Sequence, residues 1–318
     1  MSEASKVVCI VGPTASGKSS LAEAVAVRLK SAVVSVDAMQ VYRGMDVGTA
    51  KTPAGERHCP LLMVDVCDPT ESYSVQRFQA DARSCADGLL AEGRTPVLCG
   101  GTGLYLDAVI DEMDFPAGEV GGRARSAYED LLAERGSEGL HALLAERDPR
   151  SAELIHPNNS RRVVRALEML DEGVSYAQKH EGLKRRSPHY AASIWALSMS
   201  RDRLYQRIDL RVDLMMEQGL LDEVAALRDG GLVADSTAGQ AIGYKELLSH
   251  LAGECSLEEA VQTIKRRTRN YAKRQLSWIR RDGRARVLDM DALSAEEACE
   301  LVVSGLGAGR DDDGVADE

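Results

Sequence analysis

The stretch VVCIVGPTASGKSSLAEAVA, Val7 to Ala26, runs five apolar residues into a glycine-framed loop and then into an alanine-rich helical pattern. Within it, Gly12-Pro13-Thr14-Ala15-Ser16-Gly17-Lys18-Ser19 fits G-x-x-x-x-G-K-[ST]. In such a loop the backbone N–H groups cradle two linked phosphates, the lysine neutralises them, and the hydroxyl, here that of Ser19, reaches a magnesium ion. The flanks supply what this needs: Val7 to Val11 reads as a buried strand, and Ser19 to Lys30 as a helix whose N-terminus points at the anion. Nothing in the loop reads a nucleobase, so what carries the phosphate stays open at this point.

The same alternation of strand and helix continues outward. Ala32 to Val36, Leu61 to Val66 and Thr95 to Cys99 read as strands, Ser74 to Ala91 as a helix closed by Gly93, and GGTGLYLDAVI as a glycine turn entering a helix. This pattern predicts an α/β fold: a P-loop NTPase-like core with a parallel sheet flanked by helices. Ligands of such sheets sit beyond the carboxyl ends of the strands, where the phosphate loop, DAMQVYRGMDVGTAK and Gly100-Gly101-Thr102 all fall. From Phe115 the texture changes. FPAGEVGG reads as a linker, and Arg123 to Glu172 as helices without a strand, a smaller all-helical insertion domain. HYAASIWALSMS, His189 to Ser200, restores the strand pattern, and a helix from RDRLYQRIDL is expected to run on to Gly230-Gly231. The expected organisation is 1–115 and 189–303 for the two parts of the core, the second ending in a basic helix, with 116–188 as the insertion. The tail from Ser304, which contains GAGRDDDGVADE, is too polar to pack and is expected to be disordered over 304–318.

The chain of 318 residues has a formal charge of −11, yet Lys265 to Arg286 holds ten Lys or Arg against one acid, Asp282, a net +9 that leaves −20 elsewhere. In this segment Ile264, Thr268, Tyr271, Gln275 and Trp278 recur at helical spacing, so one face packs and the others present basic groups. Charge of one sign interleaved with aromatics reads as a track for a phosphate backbone, the alternative being a solvated helix. Arg161, Arg162 and Arg165 form a second basic cluster, on the insertion. The seven cysteines are odd in number and lack C-x-x-C, which argues for reduced thiols. Neither a membrane span nor a signal peptide is legible, so a cytoplasmic location is expected, with a monomer as the default.

Single residues carry further possibilities. Asp37, at the end of a strand on the ligand edge, suits a magnesium ligand or proton acceptor, or else a helix cap. Asp65 competes for the magnesium role. Thr102 suits an anion contact or a cap. Arg207 and Arg211, one helical turn apart, suit a diphosphate clamp, or a solvated face paired with Asp209 and Asp213.

GPTASGKS, SVDAMQVYRGMDVGTAK, GGTGLY, HPNNSRRVVRALE, QAIGYKE and YAKRQLSWIR, in this order between Val7 and Asp291, make the chain resemble the bacterial tRNA dimethylallyltransferases. The resemblance implies transfer of a prenyl group from dimethylallyl diphosphate to N6 of the adenosine immediately 3′ of the tRNA anticodon, with the phosphate loop, Lys18, Ser19-bound Mg²⁺ and Arg211 holding the diphosphate. It implies Asp37 as general base and Thr102 as a contact to both substrates. It also implies binding of the anticodon stem-loop by Asp37, Ala38, Met39 and Gln40, by Arg123, by Arg161, Arg162, Val163, Val164 and Arg165, by Gln240, Ala241, Ile242, Gly243, Tyr244 and Lys245, and by Lys273, Arg274, Gln275, Trp278 and Arg280. Ala38 departs from the serine usual in the family, removing a hydroxyl. The rivals are an ATP-binding small-molecule kinase, an adenylate isopentenyltransferase that would need no basic track, and a nucleotide switch protein, which would carry a base-reading motif such as N-K-x-D.

Overall fold

The computed structural model describes residues 6–115, 123–184 and 187–307. Two compact units emerge, one built from the chain up to Ile110 and from Pro188 onward, the other from Asp111–Ser187.

The first unit is organised by β1 (Lys6–Val11), which leads through the phosphate loop into α1 (Lys18–Arg28). The chain then lays down β2 (Val33–Ser35), β3 (Leu61–Leu62), α2 (Val75–Ala91), β4 (Val97–Gly100) and α3 (Gly103–Ile110). After the second unit come β5 (Ala191–Ser198), α8 (Arg201–Glu217), α9 (Leu220–Asp229), α10 (Tyr244–Leu251), α11 (Leu257–Arg281), β6 (Arg286–Asp289) and α12 (Ala295–Gly307). The six strands pair in parallel in the order β3-β2-β4-β1-β5-β6. A parallel sheet of this kind is buried on both faces, and the alternation of side chains shows it. Val7, Cys9 and Val11 of β1 join Ile194 and Ala196 of β5 in one core, while Val8 and Ile10 join Trp195 and Leu197 in the other. Both cores are continuous along the sheet, so the carboxyl ends of β1, β2 and β4 present their loops on one edge.

Several boundaries differ from the sequence pattern. β3 has two residues rather than six because Met63 and Asp65 take positive φ, 61° and 57°, which turns the chain out of the sheet. The helix expected to reach Gly230 is two helices, broken where Gly219 adopts φ 90° at the N-cap of α9. Beyond the basic helix the chain adds β6 and α12, which the sequence reading did not separate. The expected disorder from Ser304 is corrected for 304–307, which continue α12; Ala298, Cys299 and Val302 bury that helix against one face of the sheet, and this packing holds its end. Residues 308–318 lie outside the described part, as do 116–122 of the expected linker. All seven cysteines are thiols.

The second unit is helical: α4 (Arg123–Arg147), interrupted by non-helical Gly136, α5 (Pro149–Leu154), α6 (Ser160–Asp171) and α7 (Tyr176–Lys184). Its own core contains Leu140, Leu144, Ile155, Val163, Val164 and Leu167.

Candidate active site

The phosphate loop closes β1 with Ser16 N–H bonded to Pro13 O, and Ala15 takes φ 64°. A non-glycine residue in the left-handed region costs about 1–2 kcal/mol, and here that conformation helps to turn successive backbone N–H groups into a nest. Arg207 Nε donates to Ala15 O at 2.7 Å, which holds this conformation from α8. Gly17, at φ 96°, then starts α1, so the helix N-terminus and Lys18 follow the nest directly.

Lys18 lies in a cavity whose walls include Thr14, Ser19, Glu23, Asp37, Cys99, Arg211 and Tyr271. Burial lowers its pKa first of all; Arg211 lowers it further, while Cys99 and Asp37 oppose this. Burial also lowers that of Arg211, whose Nε has no hydrogen-bond partner among the described residues. Two cations partly withdrawn from water, one with an unspent donor among the described residues, form a site that gains by receiving an anion. The solvated face that competed for Arg207 and Arg211 is not what α8 builds: Asp209 and Asp213 pair instead with Arg269 and Lys265 of α11.

Asp37 follows β2. Its Oδ1 accepts from Met39 N–H at 2.9 Å and from Gln40 N–H at 3.4 Å, the turn-capping geometry that the sequence offered as the plain alternative. Capping occupies one face of the carboxylate and leaves the residue on the walls of two cavities. The second cavity, of about 390 Å³, is largely apolar, with Met39, Ile208, Val212, Met215, Ile242 and Ile264 among its walls. Thr14, Asp37, Thr49, Arg211 and Tyr271 line both chambers. Thr102 lines the apolar one, with its Oγ1 3.4 Å from Tyr271 Oη. Burial raises the Tyr271 pKa, and the Asp37 charge adds to this, so the hydroxyl stays protonated at neutral pH.

Asp65 does not reach this site. Its Oδ1 accepts from buried Lys51 Nζ at 2.6 Å, which also meets Asp46 and Tyr42 O, so it serves the loop between Met45 and Thr52 and is corrected as a magnesium candidate. That loop is further held by Glu223 of α9, whose carboxylate accepts from the backbone N–H groups of Asp46, Val47 and Gly48 at 2.7–3.1 Å and from Tyr244 Oη at 2.5 Å. Sequence reasoning missed Glu223, since one acid in an amphipathic helix carries no signal of a loop remote in sequence.

The residues implied as RNA contacts divide. Lys273, Arg274 and Arg280 are exposed on α11. Gln275 is buried; its Oε1 accepts from Thr14 N–H at 2.9 Å and its Nε2 donates to Gly101 O at 3.0 Å. Trp278 covers Gly103, where a Cβ would lie 2.3 Å from the indole, and its Nε1 donates to Asp107. Both follow the inward spacing of α11 and spend their polar atoms inside the protein. Gln240 and Lys245 bond to each other, Ala241 and Ile242 line the apolar chamber, Gly243 caps α10 at φ 100°, and Tyr244 is fully buried. In the second unit Arg161 and Arg162 are exposed, Arg165 pairs with Glu168, and Val163 and Val164 are core residues whose side chains present nothing to a ligand. Arg123 is the first residue of α4; its side chain lies outside the described part.

The family model described as IPP transferase matches residues 40–282, and one described as isopentenyl transferase matches residues 5–57. A tRNA dimethylallyltransferase of Corynebacterium efficiens is 43% identical over 297 residues, 93% of this chain and 98% of that protein. The crystal structure of the full-length tRNA isopentenylpyrophosphate transferase of Bacillus halodurans is 43% identical, with a TM-score of 0.69 over 95% of this chain and 96% of that one. A eukaryotic dimethylallyltransferase acting on tRNA gives a TM-score of 0.78 at 27% identity, covering 96% of this chain and 80% of its own. With Lys18 and Arg211 in one chamber at the phosphate loop, an apolar chamber beside it and a match of this length, the chain belongs to the IPP transferase family.

Proposed function

We propose that this protein is a tRNA dimethylallyltransferase that transfers the dimethylallyl group of dimethylallyl diphosphate to N6 of the adenosine next to the anticodon on its 3′ side. The observation that carries this reading is the meeting of two unlike chambers at Asp37 and Arg211: a cationic one beside the phosphate loop and an apolar one of about 390 Å³. A kinase cleaves between phosphates and has no need of an apolar chamber at that junction.

On this reading the N6 lone pair attacks the allylic carbon, the carbon–oxygen bond to the diphosphate breaks with its electron pair leaving on oxygen, and the N6 proton passes to Asp37. The exocyclic amine is a poor nucleophile, so alignment of the reactants and charge stabilisation on the leaving group supply most of the acceleration. Lys18, Arg211 and the backbone N–H groups of the loop provide the latter. Mg²⁺ fits the residues present. The Ser19 hydroxyl and two carboxylates, Glu23 and Asp37, are among the groups that line the chamber, and no group of three His, Cys, Asp or Glu side chains placed to hold a metal occurs among the described residues. An ion on Ser19 would therefore complete its shell with phosphate oxygens and water, which suits Mg²⁺, and would neutralise charge on the leaving diphosphate.

The target base must leave the anticodon stack to reach the apolar chamber, whose wall at Asp37, Ala38 and Met39 would receive it. RNA binding is assigned to the exposed Lys273, Arg274 and Arg280 of α11 and to Arg161 and Arg162 of the helical unit. Among the described residues no helix is long and apolar enough to cross a membrane. The reading takes the acting unit as a cytoplasmic monomer. Incubation with radiolabelled dimethylallyl diphosphate and undermodified tRNA tests it, against ATP with small acceptors. Label recovered in the modified adenosine is the expected result; phosphoryl transfer from ATP without prenyl transfer would reverse it.

A further inference from the structure

The basic helix α11 is also the helix that reaches deepest into the catalytic edge, and it does so through one neutral side chain. Gln275 is 5% exposed, and its amide joins two loops that come from different strands. The oxygen takes the N–H of Thr14, inside the phosphate loop after β1, and the nitrogen gives to the carbonyl of Gly101, in the turn after β4. The approach there is so close that a Cβ on Gly101 would lie 2.1 Å from Gln275 Nε2. One turn earlier on the same helix, Tyr271 Oη meets Thr102 Oγ1. Thr14 lines both chambers and Thr102 the apolar one, so the two loops that Gln275 joins are the two sides across which transfer would take place.

We propose that Gln275 is a positioning residue of the transfer reaction: its amide fixes the phosphate loop at Thr14 and the Gly101–Thr102 turn at one separation, and thereby sets the alignment of the diphosphate with the accepting base. The inference rests on the transferase reading for its substrates, but its structural content is independent of them. An amide suits the task because it offers an acceptor and a donor to two backbone groups of opposite kind; a carboxylate or an ammonium would satisfy only one. The N–H of Thr14 belongs to the loop that cradles the phosphates, so an unpinned Thr14 is free to turn its peptide and disorder the nest.

The test compares Gln275→Met, which keeps the volume and loses both hydrogen bonds, with Gln275→Ala, which loses the volume as well. The measurements are kcat and KM for both substrates, the Kd for inorganic diphosphate with Mg²⁺ by calorimetry, the Kd for tRNA, and the thermal midpoint. Positioning predicts that the two variants share a fall in kcat of about 10- to 100-fold, the scale of losses from an ångström of misplacement. It also predicts weaker diphosphate binding in both, with the tRNA Kd within about twofold of the original protein, although Gln275→Ala melts well below Gln275→Met. A Gln275→Met protein with unchanged kcat and diphosphate affinity would overturn the proposal. So would losses that follow the thermal midpoint from Met to Ala, since these would mark a packing role alone. If the original protein fails to transfer the prenyl group, the transferase reading falls, and the diphosphate titrations still decide the role of Gln275.

Discussion

Arg269 on α11 grips both carboxylate oxygens of Asp209 on α8, at 2.6 and 2.7 Å. It is one of several such pairs. Lys265 meets Asp213, Arg267 meets Glu246 and Arg284 meets Asp107, so acids from neighbouring elements neutralise much of the charge that the segment carries on paper. Lys273, Arg274 and Arg280 have no acidic partner within ion-pair distance among the described residues.

This division makes the salt dependence of tRNA binding a test of which cations meet RNA. Replacing Lys273, Arg274 and Arg280 together with alanine is expected to flatten the slope of log K against log salt by about two to three units, because every phosphate left without its cation keeps its condensed counterion when the complex forms. Replacing Arg269 alone is expected to leave the slope in place and to lower stability, since Asp209 loses its partner. Equal slopes in the triple variant and the original protein would remove α11 from the interface and shift attention to Arg161 and Arg162.

The capping bonds of Asp37 shape its own test. Asparagine retains an oxygen for the N–H groups of Met39 and Gln40, so Asp37→Asn is expected to fold with a nearly unchanged thermal midpoint while kcat falls by about two to four orders of magnitude, the range of general-base effects. Asp37→Ala is expected to lose the cap as well, at about 1 kcal/mol of stability. Steady-state kinetics beside thermal melts separates the two effects; near-normal turnover in Asp37→Asn would take the proton-acceptor role away from this residue.

How far each feature was legible depended on how local its cause is. The phosphate loop, β1 and the inward spacing of α11 follow from neighbouring residues, and the structure places Gln275 on the packed face that this spacing gives. The family resemblance instead implied that Gln275 and Trp278 touch RNA, because a motif marks a segment without distinguishing its two faces. The pairing of Asp209 and Asp213 was beyond reach for a different reason. Their partners lie 60 and 52 residues onward, on a helix whose approach is set by the whole sheet. β6 escaped because RVLD is short and exposed at all but Leu288, and its strand conformation comes from its register with Trp195 to Ser198.

Glu223 bears on the loop that supplies Thr49 to both chambers. Its two oxygens serve three backbone N–H groups and the Tyr244 hydroxyl, and Glu223→Gln would turn an amide group toward donors it cannot accept from. A loss of about 1 kcal/mol in chemical denaturation is expected, the scale of a hydrogen bond lost where the donors are part-buried or exposed. Tyr244→Phe should cost less, because the three backbone donors keep their acceptor. A Glu223→Gln variant as stable as the original protein would mean that the loop is held by Lys51 and its carboxylates alone.

Lys18 predicts two pH dependences of opposite sign. Burial lowers its pKa from the ordinary 10.5, so the unliganded protein sheds this proton at a lower pH than the unfolded chain does. Between those two pKa values the unfolded state binds more protons, and stability therefore rises with pH across that window. Binding of diphosphate works the other way: the anion favours the ammonium, so affinity is full below the lowered pKa and declines as pH rises through it. Nearby Cys99, its pKa pushed up to about 11 by burial, stays a thiol over most of this range and leaves the limb to Lys18. Calorimetric titration with inorganic diphosphate, carried upward in pH toward the ordinary lysine value of 10.5 in buffers of different ionisation enthalpy, should show weakening affinity accompanied by proton uptake on binding. Lys18→Arg, whose guanidinium stays charged throughout, should bind with a much flatter profile even if its affinity at neutral pH is reduced. An affinity that holds constant over this range in the original protein, or a decline that persists unchanged in Lys18→Arg, would place the titrating group elsewhere and leave Lys18 an ordinary cation in this loop.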